Sequence, residues 1–177
     1  MNILKSIAKI FKSNKEKKSL SNDIITLNSS IDYMFPYEIL SINPNVYLCN
    51  RAARLSVGKE ALDTEEGRLK HIKALVDKGH ESVLEHSNIV ARIGILMNEA
   101  SSVEIAVSLS ALSNCKYLNV ITKYNTKGNI QLLIGGSIRG YIHFLRETVD
   151  VEGMIYQSIK QIVYESIQKE FCSSNIS

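Results

Sequence analysis

The sequence predicts an α+β fold. Three observations carry the prediction. Apolar residues recur at helical spacing in 65–78 and again from Met154 to Val163. The runs 88–96, 117–124 and 129–136 are short, alternating or β-branched, and read as strands. The segments follow one another as α–α–β–α–β–β–α–α with no internal repeat, which is the order of an α+β domain.

Composition sets the outer bounds. The chain has 177 residues, 45% hydrophobic and 22% charged, enough for one domain with a sizeable core. No apolar run approaches the ~20 residues that a membrane span needs. The net charge is +3, but residues 1–18 hold six lysines against Glu16, so the rest of the chain is slightly acidic. Such a body does not suggest nucleic-acid binding. Cys49, Cys115 and Cys172 have neither disulfide-framework nor zinc spacing, which points to a reducing, cytoplasmic setting.

Residues 1–21 are expected to be a basic arm, and 22–177 a single domain. In the arm, Ile3, Leu4, Ile7, Ile10 and Phe11 recur at helical spacing opposite Lys5, Lys9 and Lys12. It could lie on a membrane surface. A short arm on its own subunit is the better reading, because so short a helix is marginal alone. Residues 22–50 read as irregular, with a strand at "DIITL" and both prolines, Pro36 and Pro44.

"VYLCNRAARLSVG" reads as a helix ending near Gly58. Asp63 and Glu66 have capping-box spacing and open the helix 65–78, whose apolar face is Leu69, Ile72, Leu75 and Val76. His71 on it reads as a surface residue. Gly79 follows where a helix C-terminus needs a left-handed residue. In "GHESVLEH", Ser82 and Glu85 again have capping-box spacing and open a short turn of helix before the strand "NIVARIGIL". His80 and His86 are six apart, about 240° around a helix, so the octet by itself makes no zinc site. Ser82 at a helix start is a candidate anion-binding residue, and an ordinary cap is the alternative.

"SSVEIAVSLSALSNC" is an apolar helix with one acid, Glu104. After the strands 117–124 and 129–136, Gly135-Gly136-Ser137 reads as a tight turn into the helix "IRGYIHFLRE". Ser137 is a second candidate phosphate-binding cap. Arg139 and His143 are i and i+4 on that helix and share a face. They could hold a flavin or nucleotide, or form a solvated polar face. Asp150 is expected to cap the last helix, whose stripe is Met154, Ile155, Ile159, Ile162 and Val163.

"AARLSVG" (52–58), "GHESVLEH" (79–86) and "QLLIGGSIRGYIHFLRE" (131–147), in this order, resemble the flavin-dependent thymidylate synthases, the ThyX family. The resemblance covers roughly 46–147. It implies a ThyX-like fold, with a central, mostly antiparallel sheet and flanking helices, and a homotetramer whose FAD sites draw on several subunits. The implied reaction converts dUMP to dTMP with methylenetetrahydrofolate and NADPH. Carried over, His80 and Ser82 would lie at the FAD site, with Ser137, Arg139 and His143 meeting the FAD from a partner subunit.

The chain departs from the family where phosphate is held. An Arg-His-Arg motif should follow "NIVARIGI", but 96–124 contains no arginine and no histidine. Lys116 and Lys123 supply charge without the fork geometry of guanidinium. The interval from His86 to Arg139 is short for the family. The position of a dUMP-binding arginine falls on Thr148, with Arg146 two residues away, and the family's cysteine and tyrosine are Ser56 and Val57. Two expectations of different class follow: a divergent synthase with impaired or lost catalysis, or a non-catalytic FAD- or nucleotide-binding or assembly protein that keeps the fold.

Overall fold

The structure, a computed structural model, describes residues 34–43, 46–125, 128–148 and 153–171, the side chains of 170 and 171 excepted. The basic arm, "DIITL" and Asp150 lie outside the described residues. In chain order the elements are β1 (Tyr37–Asn43), α1 (Val46–Leu55), α2 (Glu65–Asp77), a 3-10 turn (Glu81–His86), β2 (Asn88–Ile95), α3 (Ser102–Asn114), β3 (Leu118–Tyr124), β4 (Ile130–Ser137), α4 (Ile138–Glu147) and α5 (Met154–Phe171).

The four strands form one antiparallel sheet in the order β1-β2-β4-β3, flanked by helices, so the α+β expectation holds. Alternation on β2 buries Ile89, Ala91, Ile93 and Ile95, and on β4 buries Ile130, Leu132 and Ile134. The opposite parity places Glu38, Arg92, Leu133 and Ile121 in one cross-strand row, with Arg92 and Glu38 paired at 3.1 Å. A one-residue slip would exchange the two sets, so burial of the first pins the register. Helix α5 packs on β1 and β2, α4 on β4, and α3 on β3. The stripe Met154, Ile155, Ile159, Ile162 and Val163 is buried there, at about 1.5–3 kcal/mol for each large apolar side chain removed from water.

Several expectations need correction. β1 lies within the segment read as irregular. Its burial is only partial, so its sequence alternates weakly, and pairing with β2 holds it in place. The cap of α2 is Thr64, whose hydroxyl accepts from Gly67 N at 3.2 Å, one residue beyond the expected Asp63. Gly135 and Gly136 belong to β4, which runs straight into α4 without a turn. Gly136 is needed for a different reason: a Cβ there would sit 2.9 Å from Tyr117 O and 2.6 Å from the Leu118 side chain, where β3 begins.

The expected stop at Gly79 is present. Its φ is +84°, its N–H donates to Val76 O at 3.0 Å, and His80 N–H donates to Leu75 O at 2.9 Å. That is a Schellman closure, and glycine meets no Cβ penalty in it. At the start of α5, Met154 N–H donates to Glu104 Oε1 at 2.8 Å, so the one acid of α3 caps an amide of the last helix. Gly153 makes room for it, since a Cβ there would meet that oxygen at 2.5 Å.

Candidate functional site

The octet 79–86 and the helix 138–147 come together. The 3-10 turn packs against α1, α2 and α4 through its buried Val83 and Leu84. Ile138 N–H donates to Ser87 O at 2.8 Å, which ties the start of α4 to the end of the turn. Two ion pairs span the same seam. Arg146 grips Glu81 with both guanidinium nitrogens, at 2.8 and 2.5 Å. Arg139 pairs with Glu85. Two of the segments that carry the family resemblance, 79–86 and 131–147, therefore meet at one junction.

Ser82 is not the helix cap that its spacing suggested. The helix start is His80, which makes no side-chain cap bond, and Ser82 is an exposed residue inside a six-residue 3-10 turn. The expected partner in the box, Glu85, is drawn to Arg139 instead. A 3-10 turn this short offers little aligned dipole for an anion. His80 is exposed beside Ser82, and no hydrogen bond or ring contact joins either of them to α4.

Ser137 is a true cap. Its hydroxyl accepts from Gly140 N at 3.1 Å. Of the first three amides of α4, Ile138 is thus taken by Ser87 O and Gly140 by Ser137. Gly140 is also sealed from outside: a Cβ there would lie 2.6 Å from Tyr117 O. The helix start is closed by β3 and the turn rather than open to a phosphate.

Arg139 and His143 do share a face of α4. Arg139 is held by Glu85, and His143 meets Tyr117 edge-on, with ring centroids 4.7 Å apart. Lys116 Nζ lies 4.9 Å from the same tyrosine ring, within range of a cation–π contact. Glu81, Glu85 and Tyr117 are the members of this cluster that sequence reasoning did not single out as site residues. The glutamates sit inside the octet, and the 54- and 65-residue separations from their arginines leave no local signal.

At the start of α4 the Ile138 and Gly140 amides are taken within the chain, and the guanidinium of Arg139 faces a carboxylate. Among the described residues, no group of three or more His, Cys, Asp or Glu side chains is placed to hold a metal ion. No helix of the described residues is long and apolar enough to cross a membrane. A groove of about 740 Å³ lies elsewhere, between β1 and the end of α5, lined in part by Tyr37, Ile39, Leu40 and Glu165, and none of the five expected site residues touches it.

On the other side of the turn, Cys49 is fully buried, with its sulfur 3.2 Å from Ser87 Oγ, and burial pushes its thiol pKa up. It is a packed thiol rather than a nucleophile. Compared with protein-family models and with curated proteins, the chain matches none.

Proposed function

We propose that this chain is a divergent relative of the flavin-dependent thymidylate synthases that has lost conversion of dUMP to dTMP and acts as an assembly protein. The observation that carries the reading is the seam between the turn and α4. There the motif glutamates Glu81 and Glu85 engage the motif arginines Arg146 and Arg139. Residues of the resemblance thus join two parts of one scaffold, which gives them a role without chemistry. The further arginine between His86 and Arg139 is Arg92, and Glu38 pairs it in the cross-strand row of the sheet.

Assembly is supported by α3. Its exposed residues are Ser102, Val103, Ala106, Val107, Ser110, Ser113 and Asn114, none of them charged. Its single acid is turned inward to α5. Val103 is 73% exposed, and Ile121 on the neighbouring β3 is 54% exposed. An uncharged helix face beside the exposed Ile121 fits a second copy of the chain better than it fits water. Light scattering should give a mass above the 19.8 kDa of one chain. The variant Val103→Glu/Val107→Glu should lower it to that value.

The test of lost turnover is tritium release from 5-tritiated dUMP with NADPH, FAD and methylenetetrahydrofolate. It is run beside an absorption spectrum of the protein after FAD is added and excess removed. No release and no retained flavin bands are expected. Turnover would return the chain to the active enzymes. Flavin bands without turnover would favour the cofactor-binding reading over assembly alone.

A further inference from the structure

One histidine, His71, lies at the junction between α1 and α2. Asn50, on α1, is fully buried and makes two hydrogen bonds. Its Oδ1 accepts the Leu62 N–H at 2.9 Å, and its Nδ2 lies 3.0 Å from His71 Nδ1 on α2. The Leu62 amide can only donate, so it fixes which end of the Asn50 amide faces it. The end left for His71 is an NH2 group, which also can only donate. His71 Nδ1 must therefore accept, and its proton must sit on Nε2.

A protonated imidazole has no acceptor. Two donors would then face each other at 3.0 Å around a buried amide. Turning Asn50 over would satisfy His71 and set the NH2 against the Leu62 N–H, so no orientation suits both. We infer that the Asn50–His71 bridge is a proton-sensitive latch, holding α1, the loop 56–64 and α2 together while His71 is neutral and releasing the loop when it is charged.

The surrounding charges offer the imidazolium no compensation. Arg54 on α1 acts on the ring, and its Nε donates to Glu60 O. Arg68, on His71's own helix, is turned to Leu62 O at 2.7 Å and Asp63 O at 2.9 Å. Lys59, Glu60 and Asp63 of the loop are exposed. The carboxylates of the adjoining turn, Glu81 and Glu85, are held by Arg146 and Arg139. Burial first, and the charge of Arg54 second, keep His71 protonation below the ordinary imidazole range. The unfolded chain thus takes up this proton first, near pH ~6.5. The contribution of the latch is complete above that pH and is lost as pH falls through the folded midpoint of His71.

The experiment is NMR on the full chain with labelled histidine, alongside amide exchange at Leu62 as a function of pH. At neutral pH His71 should be the Nε2–H tautomer. Between pH ~6.5 and the folded His71 midpoint the Leu62 protection factor should fall with a limiting slope of about tenfold per pH unit, that of a one-proton linkage, and it should level off below the midpoint. His71→Gln keeps an acceptor facing Asn50 and cannot be charged, so Leu62 should stay protected in acid. Asn50→Asp accepts from both partners and should raise the His71 midpoint and reverse the pH dependence. An Nδ1–H tautomer at neutral pH, or Leu62 protection that ignores His71 titration in the natural chain, overturns the inference.

Discussion

Removing Arg146 tests whether the octet is a structural clasp. The Glu81 and Arg146 side chains are 17% and 16% exposed and share two charge-assisted bonds, whereas those of Glu85 and Arg139 are 46% and 39% exposed. Hydrogen bonds to charged groups contribute about 1.5–3 kcal/mol each, but desolvation cancels much of that in a sheltered pair. Truncating one partner costs more than the pair contributes, because the other charge is left sheltered and unpaired. For full burial that cost is about 3–5 kcal/mol. With one-sixth of each side chain exposed, Arg146→Ala should fall near the lower end, about 3 kcal/mol. For a chain of this size that corresponds to a melting-temperature drop of roughly 6–12 °C. A double-mutant cycle with Glu81→Ala, measured by urea denaturation, should give a coupling near 2 kcal/mol. The same cycle for Glu85 and Arg139 should give less than about 1 kcal/mol, because water screens that pair. The reasoning fails if the coupling of Glu81 to Arg146 is no larger than that of Glu85 to Arg139.

The two serines separate a real cap from an apparent one: Ser137→Ala should cost about 1 kcal/mol in denaturant melts, and Ser82→Ala less than about 0.5 kcal/mol. Gly140→Ala places a Cβ 2.6 Å from the Tyr117 carbonyl, so β3 must move, and a loss of about 1–3 kcal/mol is expected by calorimetry. Glu104→Ala removes the acceptor from Met154 N–H and should cost about 1–2 kcal/mol, while Glu104→Gln, which keeps an acceptor, should recover a large part of it in the same melts.

The sequence by itself determined whatever depends on neighbours along the chain. The apolar stripes of α2 and α5 and the alternation of β2 and β4 put 3.6- and 2-residue periods directly into the sequence. The left-handed stop at Gly79 and the cap at Ser137 are likewise local, because a helix end is satisfied within a few residues. Spacing also misled. Ser82 and Glu85 have the spacing of a capping box, yet the energy available to Glu85 from Arg139, 54 residues away, lies in tertiary contact. β1 was missed because an edge strand that buries little on either face alternates weakly, and its partner β2 lies far along the chain, with Tyr37 opposite Ile93 and Asn43 opposite Asn88. Only the tertiary structure decided that the two motifs close on each other through Glu81 and Arg146, that Glu104 caps α5, and that Asn50 meets His71. Each of these pairs a charge or a buried polar group with a distant partner. The need for a partner can be read from one residue, but its identity is set only when the chain has folded.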